Sequence, residues 1–560
     1  MKGSAMEKAF SVLNSAATDS GCGSCHSSGC GTCSPAEPKT ESPKLSRRGW
    51  ARRALLGSAS AYLAGCGENK TETKQAESVE KQVAGETPSP NAAPAGVSPD
   101  LAVVQESKGP VMTAIDEFFK MGPGPSSSHT MGPMRITYDA YQRISKLPED
   151  QLKRATALKI HLYGSLSATG KGHGTDRAAL AGLLGQAPAT CPPSFLDGLA
   201  ARPDEAHPLK LGPTNLNLTL KDVIFDDTKG QYPHANTMRV FLLAGNDTLW
   251  QQEYYSVGGG FIEWKGYKPP EKGQPKYPYS TMKELMKHVE DNKITLPQLM
   301  LANEMAITGK SEKQVWDFID QVTTVMLGMV NTGLKAEGVL PGPIKLQSKA
   351  AAVYKRSQDD QYPTDKSIAG LSAAALAASE ENARGHIIVT APTGGSAGVI
   401  PALVKGLRDY RKVSEKDIRD GFLAAAAVGY LCKHNATLAA AEGGCQAEIG
   451  VASSMGAAMG AQAHGASAQV TANAAEAALE HHLGMTCDPV AGFVQIPCIE
   501  RCAFGAVKSW TAFSIATNEI VAMHRVDLDT TIAAMAMTAR DMNKKYKETS
   551  EAGLAALVLC

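Results

Sequence analysis

Apolar and polar positions fall into two different rhythms on either side of residue 270. From 111 to 265 the apolar runs are short. KIHLYGSLSATG alternates apolar and polar side chains, the period-two pattern of a half-buried strand. It leads into GHGTDRAALAGLLG, where glycines form a turn that opens a helix. TNLNLTLKDVIFD and MRVFLLAG also read as strands. This region is expected to be an α+β or α/β unit over 111–265. The polar YKPPEKGQPKYP marks a linker, 266–289. From about Thr281 the rhythm becomes helical: STMKELMKHVEDN, LPQLMLANEMAI, SEKQVWDFIDQVTTVMLGMV, SIAGLSAAALAASEENA, EKDIRDGFLAAAAVGYLCKHN and an Ala/Gly-rich stretch over 451–482. An all-α unit over 290–560 is expected, its helices packed closely through small side chains. The best apolar run, Phe422 to Cys432, spans 11 residues and suits a buried core helix better than a membrane span.

Residues 1–110 follow neither rhythm. Their Pro- and Ala-rich tract, running to about Asp100, lacks the periodicity needed to bury a core, so a disordered extension is expected. Cys22, Cys25, Cys30 and Cys33 are spaced C-x2-C-x4-C-x2-C, which suits a metal, zinc before haem, or no chemistry at all. Arg47 and Arg48 precede an apolar stretch ending in LAGC, the string of a twin-arginine export signal with a lipoprotein-type cysteine, Cys66. The alternative is a chance match in a cytoplasmic protein, with membrane contact only if the signal is real.

Composition narrows the function. Lys+Arg and Asp+Glu are both 56, so no basic excess points to nucleic acid. Hydrophobic content of 43% is that of a globular protein, and 560 residues predict two or three units. A homodimer is expected, as two-fold dimers are the commonest oligomers.

Several polar clusters could do chemistry. In GPGPSSSHTMGPMRI, proline and glycine end a helix at Met121, and Ser126, Ser127, Ser128, His129 and Thr130 fall where a new helix starts. Hydroxyls there either cap the helix or bind an anion, and a histidine beside them can move a proton. His173 with Asp176 occupies a second glycine-flanked turn, placed at a strand-to-helix switch. His234 and Asn236 lie in a third polar loop. Thr393, Gly394, Gly395 and Ser396 form a bare-backbone loop suited to a carboxylate or phosphate, or a plain helix cap. Finally, Cys445 lies in AEGGCQAEIG, and Cys487, Cys498 and Cys502 fall within CDPVAGFVQIPCIERC. Three loop thiolates could hold an iron–sulfur cluster with one open iron, or they could be unrelated core cysteines.

PSSSHTMGPMR, GHGTDRA, APTGGSAGVIPA, CQAEIGVASSM and CDPVAGFVQIPCIER occur in this order, and together they resemble the bacterial iron–sulfur L-serine dehydratases in single-chain form. The resemblance covers about 111–560. It implies an α+β β-type domain followed by an all-α α-type domain. It also implies deamination of L-serine to pyruvate and ammonia with a [4Fe-4S] cluster in place of pyridoxal phosphate. By motif, Cys445, Cys487 and Cys498 become cluster ligands. Cys502, where the family pattern has Asn, is left over. Cys560, ending the apolar LAALVLC, becomes a candidate fourth thiol in the resting state. His129 is the first candidate base, with His173 and His234 as alternatives. Ser126, Ser127, Ser128, Thr130, Asn236, Thr393, Gly394 and Ser396 are candidate substrate contacts. The alternatives are an iron–sulfur lyase acting on L-cysteine or L-threonine, and a non-catalytic redox sensor.

Overall fold

The computed structural model describes residues 109–558 apart from 229, 231, 269 and 270. The four N-terminal cysteines, the export-like signal, the expected disordered tract and Cys560 lie outside the described residues.

Nine strands are present among the described residues: β1 (Met121–Pro123), β2 (Ala157–Leu162), β3 (His207–Leu211), β4 (Thr214–Leu218), β5 (Val223–Phe225), β6 (Thr237–Ala244), β7 (Asp247–Ser256), β8 (Ile262–Trp264) and β9 (Ile387–Val389). Five form a mixed sheet in the order β5-β2-β6-β7-β8, parallel only between β2 and β5. The alternation read in the sequence is real. Leu158, Ile160 and Leu162 of β2 are buried, while Lys159 and His161 between them are half-buried. The buried side packs with Val240 and Leu242 of β6 against Ile136, Ala140 and Ile144 of the helix Gly132–Ile144, and against Ala179 and Leu183 of the helix Thr175–Leu183. Each fully buried leucine or isoleucine contributes about 1.5–3 kcal/mol. The unit is therefore α+β, with a small separate hairpin of β3 and β4.

The second unit is helical. Serine and threonine caps start several of its helices where the sequence places them. Thr295 with Gln298 and Ser311 with Gln314 form capping boxes for Leu296–Thr308 and Glu312–Gly333. The helix Glu415–Asn435 is apolar all round over Phe422–Cys432, and that stretch is wholly buried. It lies against Val451–Ala463, whose many alanines, glycines and serines allow close approach.

Two features depart from the pattern reading. The first helix stops at Phe118, and Met121, expected to end it, instead opens β1. The helical unit also contains β9, which pairs antiparallel with β1, Met121 opposite Val389. A three-residue strand has no period to read, and its partner is far away in sequence. Val111, Ile115, Phe118 and Phe119 accordingly pack into the core of the helical unit rather than under the sheet.

Candidate active site

The β1–β9 pairing positions the site, because each strand runs directly into a polar loop. After β1 comes Ser126, in extended conformation, whose Oγ accepts the His129 N–H at 3.1 Å. Residues Ser127–Met131 form a wide π-helical turn continuous with the helix Gly132–Ile144, so the helix starts where the sequence indicated. After β9 comes the Thr393–Ser396 loop. Asn382 ties the two loops together, its Nδ2 donating to Pro125 O at 2.7 Å and to Gly394 O at 3.0 Å. Gly394 packs so closely that a Cβ there would lie 2.8 Å from Ser127 N, leaving no room for a side chain. Inside the second loop Thr393 Oγ1 and Ser396 Oγ are 3.0 Å apart, and the buried Ser396 hydroxyl also receives the Thr393 N–H. Ser396 thus braces the loop from within.

His129 is fully buried rather than a surface residue. Its Nδ1 lies 2.8 Å from Ser128 Oγ and its Nε2 lies 3.0 Å from Ser165 Oγ. His173 stacks beside it, ring centroids 4.7 Å apart. The sequence put His173 at a strand-to-helix switch. It is instead the last residue of the helix Ser165–His173, which Gly174 ends in left-handed conformation (φ 62°) before the next helix begins. Thr130 Oγ1 donates to His173 O at 2.8 Å. His173 Nδ1 donates to Thr169 O at 2.9 Å, which fixes the tautomer, and its buried Nε2 has no partner among the described residues. Burial, with the neighbouring His173, holds His129 well below the usual imidazole range; burial brings His173 down to about 4. Both rings are therefore neutral bases at pH 7.

His234 and Asn236 stand to one side. His234 Nε2 is 3.3 Å from Glu442 Oε1, and its Nδ1 accepts the Asn236 N–H. Asn236 Nδ2 donates to Ser256 O, and Ser256 Oγ donates to Ser128 O at 2.7 Å. Asn236 therefore reaches the serine turn through Ser256. Asp176 accepts the Arg177 N–H and has no hydrogen bond to either histidine among the described residues.

The cysteines gather on the helical side. Cys445 precedes a second π-helical turn, Gln446–Gly450; Cys487 lies in a loop; Cys498 opens the helix Cys498–Ala516. All three are buried. Ligating atoms of Cys445, Glu448 and Cys487 lie within 4.8 Å of one another. A hydrogen bond from Cys487 and the charge of Arg501 lower Cys445 to about 7. Cys487, beside Cys445, and the buried Cys498 are pushed well above the thiol range. Arg501 is fixed by bonds to Thr486 O at 2.5 Å and Asp488 at 3.3 Å. The Cys502 thiol donates to Gly395 O at 3.1 Å, and burial raises it to about 12. Glu448 bonds to Thr393, and burial with the nearby Glu548 holds its carboxyl well above the usual range.

A segment near the chain end straps this loop. Cys487 pairs with Lys547 as an isolated parallel bridge: its N–H donates to Tyr546 O, and its carbonyl accepts the Glu548 N–H, both at 2.8 Å. Ser550 Oγ donates to Pro489 O and Leu554 N to Asp488 Oδ2. Glu548 carries a left-handed backbone (φ 59°) and is 5% exposed. Its Oε1 is 3.8 Å from His129 Nδ1, and its Oε2 has no hydrogen-bond partner among the described residues. Burial and the Cys445 charge raise this carboxyl to about 8.

Thus His129, His173, Ser126, Ser127, Ser128, Thr130, Thr393 and Gly394 converge on one buried place, with the thiols of Cys445, Cys487 and Cys498 close by. Ser165, Asn382, Arg501, Glu448 and Glu548 were not singled out from sequence. Glu448 sits inside the CQAEIG motif, whereas Glu548, in a polar stretch, offers no pattern to read. No helix among the described residues is long and apolar enough to cross a membrane.

Both units of the chain are similar to known proteins. A family model described as serine dehydratase beta chain matches residues 114–267, and one described as serine dehydratase alpha chain matches 291–555. L-serine dehydratase 2 of Escherichia coli K12 is 40% identical over 455 residues, covering 79% of this chain and 98% of that protein. The L-serine dehydratase of Streptomyces coelicolor is 36% identical, covering 80% and 99%, and that of Helicobacter pylori J99 is 38% identical with the same coverage.

Proposed function

The chain belongs to the serine dehydratase family, beta and alpha units in one polypeptide, and on that footing we propose how its own residues act. It is an L-serine ammonia-lyase, converting L-serine to pyruvate and ammonia. One observation carries the mechanistic reading: two neutral, buried imidazoles meet hydroxyl-bearing loops from both units beside a cluster of thiols.

Cys445, Cys487 and Cys498 would hold a [4Fe-4S] cluster, with Cys560 retained as a fourth thiol only in the resting state, while substrate is absent. The donors fit such a group. Cys445, Cys487 and Cys498 are soft and buried, the thiols of Cys445 and Cys487 lie within 4.8 Å of each other, and the Arg501 guanidinium offsets negative charge on Cys445 and Cys498. When bound, a cluster with an open iron supplies a Lewis acid for the departing β-hydroxyl.

The remaining work falls to the chain. The N–H groups of Ser127 and Ser128 at the helix start and of the facing Gly394 hold the substrate carboxylate. With Nδ1–H turned to Ser128 Oγ and Glu548, His129 Nε2 bears the lone pair and takes the α-proton, Ser165 Oγ turning aside. His129 is preferred to His173 because the Glu548 carboxyl lies 3.8 Å from its Nδ1 and can take up positive charge there, whereas no acid pairs with His173 among the described residues. Burial of the whole site keeps water from the reacting atoms. Loss of water from L-serine leaves aminoacrylate, which tautomerises to the imine and hydrolyses to pyruvate and ammonia after release. A homodimer in the cytoplasm completes the proposal.

The test is pyruvate release from L-serine by protein purified without oxygen, beside an air-exposed aliquot and parallel assays on L-threonine and L-cysteine. Activity on L-serine that dies in air is expected. Activity indifferent to air would remove the cluster from the reaction. His129→Ala should keep its iron and lose about 10²- to 10⁴-fold in kcat; full kcat would transfer the role to another histidine.

A further inference from the structure

We propose that Glu548 accepts the α-ammonium group of the substrate. The inference rests on the reading of L-serine as substrate and of His129 as base.

L-Serine brings three groups that need partners. The carboxylate has hydroxyls and backbone N–H groups, and the hydroxyl has the thiol-held centre. The ammonium needs a carboxyl close to the base, one that its own positive charge would ionise, because the nitrogen and the abstracted proton share one carbon. Glu548 meets each requirement. Its Oε1 lies 3.8 Å from His129 Nδ1, so it sits one imidazole ring away from the atom assigned to take the proton.

Its surroundings also lack a cation. A buried carboxylate is costly unless a positive group meets it. Among the described residues no lysine or arginine pairs with Glu548, and burial keeps His129 neutral. Its other close acidic neighbour, Glu448, brings no positive charge. Oε2 is buried with no hydrogen-bond partner among the described residues. A primary ammonium, with three donors and a positive charge, supplies what this position lacks.

The backbone makes the aim deliberate. Glu548 holds a left-handed φ of 59°, uncommon for a residue with a side chain, and its N–H is pinned to Cys487 O at 2.8 Å. A relaxed backbone at this point would turn the carboxylate elsewhere.

The experiment compares L-serine with L-glycerate, which carries a hydroxyl where serine has its ammonium. In iron-loaded Glu548→Gln and Glu548→Asp, KM and kcat for L-serine are measured with the inhibition constant of L-glycerate; circular dichroism and iron content report integrity. The expected result for Glu548→Gln is a KM for L-serine raised about 10- to 100-fold, with L-glycerate inhibition changed less than about threefold. Glu548→Asp should fall between this and the wild type, and it serves alone if Glu548→Gln does not load iron. Equal weakening of both compounds overturns the proposal. So does a fall in kcat with KM unchanged, which would make Glu548 a positioning residue for His129. The selective loss appearing in Glu448→Gln instead also overturns it. Full turnover by His129→Ala would sink the base assignment while leaving the serine-against-glycerate contrast to be read independently.

Discussion

At the scale of single residues, the site depends on how burial sets protonation. His129 is held neutral first by burial and then by the neighbouring His173, which disfavours a second positive charge. The acid limb of kcat/KM should therefore lie below pH 6.5, the ordinary imidazole value. In His173→Asn one of the lowering influences is gone, so the limb should move up toward 6.5 in a pH–rate profile. A limb that stays put would mean that His173 does not act on His129 in this way. Arg501 makes a second case. Its charge stabilises the Cys445 thiolate, and two bonds fix it beside the cysteine loop. Arg501→Gln should weaken metal loading by about 10- to 100-fold, measured as iron bound per chain at limiting iron. None of this is visible as a pattern. The SSSHT and TGGS runs could be picked out because several polar residues cluster at a helix start, but Arg501 and Glu548 act through partners that only the fold supplies.

At the scale of elements, the short β1–β9 ladder decides where two loops meet, and Gly394 decides how closely. Gly394→Ala would place a Cβ 2.8 Å from Ser127 N. The loops would have to part, and kcat/KM should fall at least about tenfold while the unfolding midpoint moves little. The Leu296–Thr308 helix adds a pH effect. Glu304, on that helix, accepts the Ile115 N–H at 3.1 Å and is 4% exposed; burial raises its carboxyl from 4.5 to about 7. The folded state thus binds a proton more tightly than the unfolded chain. This contribution is fully present below pH 4.5 and is lost as pH rises through 7. Glu304→Gln should flatten that part of the stability profile, as urea midpoints measured from pH 5 to 8 would show. Long elements were legible beforehand, since helices such as Glu312–Gly333 and strands such as Ala157–Leu162 declare a period. Elements of three or four residues declare none. The helix end at Phe118, where the chain turns into a strand paired far away in sequence, differs from the pattern for the same reason, and the one at His173 differs because Gly174 closes one helix before it opens the next.

At the scale of the molecule, the chemistry lies between the two units. The histidines come from the sheet-bearing unit and the thiols from the helical one, with the segment Tyr546–Leu554 strapping the cysteine loop. Cutting the chain after Asn543 would remove both backbone partners of Cys487. Iron should then be lost to air faster than from the full chain, followed through the visible absorbance of the cluster; equal rates would deny the strap a role. The two-unit plan was readable from the change of rhythm near residue 270. What composition and period could not reveal was that the first residues of the sheet-bearing unit belong to the core of the helical one.

The sharing has a consequence for how such a protein could be encoded. Val111, Ile115, Phe118 and Phe119 fill the helical core, and β1 completes a ladder with β9, yet these residues and β1 lie at the start of the sheet-bearing unit, before the linker. A gene divided within the linker would give one product carrying a strand and a helix that belong inside its partner, and another with a gap where they fit. The two products would be obligate subunits, held together by the same contacts that now join the domains, and co-expression should recover a complex that separate purification would not.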